Sequence, residues 1–140
     1  MKTSDLMIYD LIANEYGFPM FVIAVGTDYV CAGFVGGPDD DDEEYTDKDF
    51  AEGNARPIEL TPDMLLANGF TNDNGKYNLT IRETTYLRIE DMGRLFALNA
   101  CGEIRRFRVR YVHELQHILR SMDLSEFADD FKIKPTLSKQ

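Results

Sequence analysis

The chain has 140 residues, of which 44% are hydrophobic and 11% aromatic, and this composition excludes an intrinsically disordered protein. Its length is enough for one domain with a real core, or for two very small ones. No run of about 18 apolar residues is present, and residues 1–5 lack the apolar centre of a signal peptide, so we predict a cytoplasmic protein that does not enter a membrane. Cys31 and Cys101 are isolated, which predicts neither a disulfide framework nor a thiolate metal site.

Short apolar runs alternate with turn residues in the N-terminal part of the chain. Residues 21–25 are rich in β-branched side chains and predict a buried strand, and residues 29–35 predict a second strand that pairs with it as a hairpin. Short strands at this spacing are typical of small barrels. We therefore predict an SH3-like small antiparallel sheet over residues 1–38.

The acidic residues of the chain are concentrated in one segment. Residues 39–52 hold nine acids against Lys48 alone, so this segment contributes −8 to the net charge of −10 and the rest of the chain only −2. Repulsion among consecutive acids predicts a solvated, mobile loop over residues 39–56. The loop is also a candidate site for a basic partner, or an acidic decoy that occupies a nucleic-acid-binding protein through residues 39–52. The consecutive acids are Asp39, Asp40, Asp41, Asp42, Glu43 and Glu44.

A short helix and a set of strands are predicted after the loop. Thr61 is a typical N-cap residue, Pro62 suits the first helical position, and Gly69 predicts a left-handed cap at the helix end. Apolar and polar residues then alternate, which indicates strands with one buried face. The four strand-like segments are residues 76–83, 86–91, 94–99 and 103–109, and together they predict an antiparallel meander.

The last of these strands carries a row of arginines. Arg106, Arg108 and Arg110 alternate with apolar residues and therefore point to one face of the strand. Such a row can bind an anionic partner, or it can be a solvated face that pairs with acids. Because no base-stacking aromatic residue interleaves with the arginines on that face, nucleic acid is not the partner that we expect.

Residues 111–122 form the best predicted helix, and they include both histidines of the chain. The apolar stripe of this helix centres on Leu115 and Met122. At about 100° per residue, His113 and His117 point roughly 160–200° away from the stripe, toward solvent. A short final helix and a frayed tail are predicted beyond it.

The two histidines and the glutamate between them spell H-E-x-x-H, the signature of zinc proteases. Histidines four residues apart on one helical face can hold one zinc ion, and the glutamate can activate a bound water. A catalytic zinc also needs a third protein ligand. In some metzincins the last ligand lies six residues after the second histidine, which is the position of Asp123. Other acids nearby are Glu126, Asp129 and Asp130.

The context of the motif argues against a metal. Arg120 occupies a position where metzincins have a glycine that turns the chain back, and its fixed charge beside His117 weakens the binding of a dication. We therefore expect no cofactor and no metal. The alternative is a zinc hydrolase with Glu114 as the catalytic residue and zinc held by His113, His117 and Asp123.

Three short motifs give the chain a resemblance to a known group. They are residues 4–8 (SDLMI), residues 57–62 (PIELTP) with residues 68–70 (NGF), and residues 111–116 (YVHELQ). In this order they resemble a group of small uncharacterised proteins of gut Bacteroidetes, their phages and mobile elements, over most of residues 1–122. The pattern of the group has histidine at position 113, so Glu114 and His117 depart from it. The resemblance implies no activity.

These observations predict an α+β fold. It consists of the SH3-like sheet, the acidic loop and a third part over residues 57–140. In the third part a short helix is followed by an antiparallel β-meander and a C-terminal packing helix. The three parts together could form one compact domain. The sequence contains no nucleophile with an adjacent base, no glycine-rich phosphate loop and no cofactor fingerprint. We therefore expect a non-enzymatic binding or accessory protein of phage or mobile-element origin that acts on an unknown protein partner. An exposed edge of the meander could support a homodimer.

Overall fold

A computed structural model describes residues 1–35, 48–81, 85–90, 93–98 and 103–133. These described residues form ten strands, three α-helices and short 3₁₀ turns at Thr3–Asp5 and Glu52–Asn54. The strands are β1 (Leu11–Ala13), β2 (Pro19–Val25), β3 (Tyr29–Phe34), β4 (Lys48–Ala51), β5 (Arg56–Pro57), β6 (Thr71–Asp73), β7 (Lys76–Ile81), β8 (Thr85–Glu90), β9 (Arg94–Leu98) and β10 (Ile104–Arg108). The helices are α1 (Pro62–Ala67), α2 (Val112–Ser121) and α3 (Ser125–Asp129). Two antiparallel sheets with short helices confirm the predicted α+β class. No helix in the described ranges is long and apolar enough to cross a membrane.

The contacts divide the chain into two compact units. Unit 1 consists of Met1–Glu59 and Tyr111–Asp129, and unit 2 consists of Leu60–Arg110 and Asp130–Gln140. The helix that carries H-E-x-x-H therefore belongs with the N-terminal sheet, whereas we predicted that it packs with the meander. The predicted boundaries at residues 38 and 57 also differ from these units, because strands β4 and β5 both join the N-terminal sheet.

Unit 1 is built on a five-stranded sheet with the order β4-β3-β2-β1-β5. Its core is a cluster of small and medium apolar side chains from alternating strand positions. Those of Ile12, Met20, Val22, Val30 and Ala32 are fully buried, and Leu6 and Ala55 complete the cluster. Full burial of a Val, Ile or Met side chain is worth about 1.5–3 kcal/mol, so this cluster contributes several kcal/mol to the stability of unit 1.

The second half of the predicted acidic loop is ordered rather than mobile. Residues 36–47, which include the acids at 39–44, lie outside the described residues. Lys48–Ala51 forms strand β4 and pairs antiparallel with β3, from Ala32↔Lys48 to Tyr29↔Ala51. The backbone ladder with β3 supplies hydrogen bonds that the charge content of this segment did not reveal, and the mobile-loop prediction for it was wrong.

Unit 2 contains the predicted meander as a sheet with the order β10-β9-β8-β7-β6. Leu87, Ile89, Leu95 and Ala97 are buried and alternate with more exposed neighbours, as the sequence pattern indicated. The four predicted strands are observed with ends that shift by at most two residues. One face of this sheet is therefore apolar, and the other carries polar and charged side chains.

Helix α1 begins and ends where its sequence predicted. The Thr61 side chain accepts a hydrogen bond from the Met64 N–H at 3.3 Å, and Pro62 is the first helical residue. At the other end Gly69 has φ +94°, and the Phe70 N–H donates to the Leu65 carbonyl at 3.0 Å. This is a Schellman cap, and it needs the left-handed conformation that glycine adopts without strain.

Candidate functional site

Helix α2 buries a polar face as well as an apolar one. Its apolar stripe consists of Val112, Leu115 and Leu119, all fully buried. Next to this stripe lie His113, Gln116, His117 and Arg120, which share a second face because they are three or four residues apart. Gln116 is fully buried and His113 is only 7% exposed. The prediction that His113 points toward solvent was therefore wrong, because the N-terminal segment of unit 1 contacts this face. The side chain of His117 is half-buried, with 30% exposed.

The Gln116 side chain joins three segments of unit 1. Its Oε1 accepts a hydrogen bond from the Leu11 N–H at 2.8 Å. Its Nε2 donates to the Tyr9 carbonyl at 3.1 Å and to the Ala128 carbonyl at 2.9 Å. The amide thus satisfies backbone groups that would otherwise be buried without a partner, and it fixes α2 to β1 and α3.

Asp10 is a fully buried carboxylate that is held by three donors. The His117 Nε2 lies 2.6 Å from Asp10 Oδ2, Arg120 Nη1 donates to Oδ1 at 2.6 Å, and the Met7 N–H donates to Oδ2 at 2.7 Å. Arg120 also contacts Asp129 of α3 at 3.1 Å. A buried charge is tolerated only when it is paired and hydrogen-bonded, and Asp10 meets both conditions.

Neither Asp10 nor Gln116 was predicted as a key residue. Gln116 lies directly beside the apolar stripe of α2, and a polar residue at such a position is a signal for a buried role. Asp10 gives a weaker signal, namely a single acid directly before the apolar strand β1. What each side chain binds could not be read from the sequence, because Asp10 and His117 are separated by more than one hundred positions.

A cleft of about 660 Å³ opens beside this polar face, within unit 1. His113 is stacked against the Tyr111 ring with a centroid distance of 6.0 Å and an angle of 12°. The His117 ring meets it edge-on at 5.6 Å. His113 Nδ1 is buried and has no hydrogen-bond partner. The lining residues are Met1, Ser4, Asp5, Met7, Pro57, Tyr111, His113, Glu114 and His117.

The cleft is acidic in its side chains. Asp5 and Glu114 contribute carboxylates, and no lysine or arginine belongs to the lining. Burial lowers the pKa of His113 below its ordinary value, and the nearby charge of Asp10 opposes this effect without reversing it. Burial therefore favours the neutral form of the His113 imidazole, whose buried Nδ1 has no hydrogen-bond partner among the residues that the structure describes.

Glu114 and His117 of the H-E-x-x-H motif are engaged in structural contacts. The Glu114 carboxylate accepts a hydrogen bond from the Tyr111 N–H at 2.9 Å, which caps the start of α2. The Nε2 of His117 is bound to Asp10. Over the ranges that the structure describes, no three His, Cys, Asp or Glu side chains are grouped so that they could hold a metal ion, so Asp123 is not brought together with His113 and His117.

The predicted partner-binding residues lie in different places. Arg106 and Arg108 are exposed on β10, Arg110 is exposed two residues after the strand ends, and all three belong to unit 2. The acids Asp39, Asp40, Asp41, Asp42, Glu43 and Glu44 lie outside the described residues. An aromatic residue beside the arginines comes from the neighbouring strand, because Phe96 of β9 pairs directly with Arg106.

These contacts define a cleft beside helix α2 within unit 1. Comparison with known proteins adds no identification, since no family model, no curated protein and no solved structure matches the chain.

Acidification should destabilise the fold through His113. Its pKa in the folded state lies below the unfolded value of about 6.5. At pH values between these two pKa values, the unfolded chain therefore binds more protons than the folded chain. The free energy of unfolding should therefore decrease as the pH falls through about 6.5, and urea unfolding at about pH 7.5 and about pH 5.5 measures this decrease. The variant His113→Asn should lose part of it. An equal decrease in the parent and the variant would contradict the attribution of this pH dependence to His113.

Proposed function

We propose that the chain is a non-enzymatic binding protein whose cleft in unit 1 accepts a basic side chain of a protein partner. The observation that carries this proposal is the lining of the cleft. Its described lining residues include the carboxylates of Asp5 and Glu114 and the ring of His113, and none of them is a lysine or an arginine. A lysine or arginine from a partner would bring the charge that complements the acids and the donors that the lining can accept.

The remaining lining residues suit contact with a flexible segment. Met1 and Met7 are adaptable apolar side chains, and the Tyr111 ring offers a flat surface beside them. The aliphatic stem of a lysine or arginine can pack on such apolar surface while its charged head meets the acids. Both ends of a basic side chain therefore find a matching environment in one cleft.

A binding role is favoured over hydrolysis by the way in which the polar groups are engaged. A general base needs a carboxylate or imidazole that is free to take a proton from a water. Glu114 caps its own helix, and His117 and Arg120 both contact the buried carboxylate of Asp10. These groups hold unit 1 together, whereas the buried Nδ1 of His113 has no hydrogen-bond partner among the residues that the structure describes.

The resemblance to small proteins of gut Bacteroidetes, phages and mobile elements indicates the setting in which this binding function would operate. We assign the protein to the accessory proteins of such elements, acting in the cytoplasm on a host protein. The exposed strand β10 at the edge of the unit 2 sheet is the site at which a homodimer would form.

Short peptides test the proposed cleft directly. An acetylated glycine peptide with one central arginine should shift the imidazole resonances of His113 and His117 in NMR titrations, and the same peptide with citrulline, which has nearly the same shape but no charge, should shift them much less. Asp5→Asn should weaken the arginine peptide about fivefold, which corresponds to the loss of about 1 kcal/mol for a partly exposed ion pair. Asp28→Asn, outside the cleft, removes the same charge and is the control.

Two results would overturn the proposal. The first is an equal response to the arginine and citrulline peptides, because the cleft would then not recognise the charge. The second is stoichiometric zinc in the purified protein that disappears in His117→Ala, since that result would establish the hydrolase alternative.

A further inference from the structure

The sheet of unit 2 has an open face on which arginines and aromatic rings lie side by side. Directly paired residues on neighbouring antiparallel strands point to the same face. Arg106 of β10 pairs with Phe96 of β9, Phe96 pairs with Arg88 of β8, and Arg88 pairs with Asn78 of β7. One row therefore crosses four strands in the order arginine, phenylalanine, arginine, asparagine.

A second row beside it extends the charge. Arg108 pairs with Arg94, and Arg94 pairs with Glu90. We call the surface formed by Arg88, Arg94, Phe96, Arg106 and Arg108 the arginine face. It carries four positive charges, against Glu90 in the second row, in a chain whose net charge is −10. A positive surface on an acidic chain is selective for an anionic partner, because the rest of the molecule does not attract one.

The aromatic rings of this face are in contact with the arginines. The guanidinium carbon of Arg106 lies 5.9 Å from the centre of the Phe96 ring, and that of Arg88 lies 5.7 Å from the centre of the Tyr86 ring. Tyr86 is oriented by hydrogen bonds of its hydroxyl to Asn78 and Arg88. The guanidinium groups are therefore held over a flat apolar surface, as cation–π pairs.

The same residues border a cleft of about 430 Å³ at this end of the sheet. Arg94, Phe96, Arg106 and Arg108 line it together with Leu95 and Phe107. The cleft combines basic side chains with an aromatic ring on rigid strands. This combination serves a ligand that has both negative charges and flat apolar groups.

From this arrangement we infer that the arginine face binds single-stranded nucleic acid, with the phosphates on Arg106 and Arg108 and a base packed against Phe96 beside the Arg106 guanidinium. A duplex keeps its bases inside and offers nothing to the phenylalanine, whereas a single strand exposes both its phosphates and its bases. An acidic peptide would use the charges but not the ring. The central place of Phe96 among the arginines thus favours a single strand over a duplex or an acidic peptide.

The test is fluorescence anisotropy with the full chain and a labelled oligonucleotide of about 20 thymidines, at about 50 mM salt. Phe96→Leu should weaken binding about tenfold, because it removes the stacking ring and keeps an apolar side chain. Arg106→Gln and Arg108→Gln should each weaken binding several-fold and reduce the slope of log affinity against log salt by about 1. The inference is supported if the parent chain binds the oligonucleotide and these three variants weaken the binding as described.

Arg105→Gln is the matched control. Arg105 belongs to the same strand but pairs with Ala97 and lies over the Phe107 ring at 5.4 Å, on the opposite face. This variant removes the same charge and should bind the oligonucleotide nearly as well as the parent. An equal loss in Arg105→Gln and Arg106→Gln would overturn the inference.

Two further probes separate the classes of partner. A duplex of the same length and a polyglutamate peptide of similar charge should both bind more weakly than the single strand, and Phe96→Leu should not change their binding. Polyglutamate that binds as tightly as the oligonucleotide would overturn the inference in favour of an acidic protein partner. The absence of any oligonucleotide binding at about 50 mM salt would overturn it as well.

Discussion

Replacing Asp10 by alanine should lower the free energy of unfolding by about 3–5 kcal/mol. The carboxylate is fully buried and holds His117, Arg120 and the Met7 N–H. Its removal deprives the largely buried Arg120 guanidinium of one of its two carboxylate partners. The other two groups that contact the Asp10 carboxylate also lose their partner. Urea denaturation monitored by circular dichroism measures the change.

The control for this variant is Asp28→Ala. Asp28 is exposed in the turn between β2 and β3, so its removal should change the free energy of unfolding by no more than about 0.5 kcal/mol. A double-mutant cycle with Arg120→Ala adds a second test, since the two losses should be far from additive if the side chains interact directly. Additive losses, or an Asp10→Ala protein as stable as the Asp28→Ala protein, would contradict the role assigned to this carboxylate.

Gln116→Leu should destabilise the protein by a similar amount, about 3–5 kcal/mol. Leucine has nearly the volume of glutamine but leaves the Leu11 N–H and the carbonyls of Tyr9 and Ala128 without their partner. Each buried backbone group without a hydrogen bond costs about 1–3 kcal/mol. The measurement is again urea denaturation, together with amide hydrogen exchange at Leu11.

Hydrogen exchange distinguishes the proposed cause from a general loss of packing. In Gln116→Leu the Leu11 amide should exchange faster than the neighbouring amides of β1. Gln116→Glu is the matched variant, because its carboxylate can still accept from Leu11 but can no longer donate to the two carbonyls. It should keep the protection of Leu11 and lose part of the stability. If the Leu11 amide is as protected from exchange in Gln116→Leu as in the parent, the loss of stability does not come from the missing hydrogen bond to Leu11.

Those parts of the fold that depend on local sequence could be predicted. Helix α1 was located by Thr61 and Gly69, because a cap satisfies backbone groups only a few residues away. The meander was located by the alternation of Leu87 and Ile89 with polar neighbours. Strand β4 was missed, because an edge strand is held mainly by a ladder to another strand, and its charged sequence carries no sign of that ladder.

The site could be predicted only in part, for a related reason. The H-E-x-x-H helix was recognised as important, but its polar face was assigned to solvent. A polar face that is buried against polar partners has the same sequence pattern as a solvated one. Only Asp10 and the backbone of β1 and α3 distinguish the two, and they come from distant parts of the chain.

The arginine face gives a second example. The row of Arg106 and Arg108 was recognised from the alternation within one strand. Phe96 was missed because it belongs to the neighbouring strand, and its place beside Arg106 depends on the register of β9 and β10. Alternation within a strand therefore predicts which face a residue occupies, but the composition of that face is decided by strands that pair with it.

The division of unit 1 into two chain segments has a consequence for its synthesis. Within unit 1, Glu59 pairs with Tyr111 and the Val112 N–H donates to the Ile58 carbonyl, while within unit 2 the Leu60 N–H donates to the Arg110 carbonyl. A ribosome delivers Met1–Glu59 first, then all of Leu60–Arg110, and only then helix α2. At about 5–20 residues per second, the first sheet waits on the order of several seconds for Gln116 and His117. During that interval Asp10 stays in water, and the nascent N-terminal segment is open to any factor that recognises its uncovered strands.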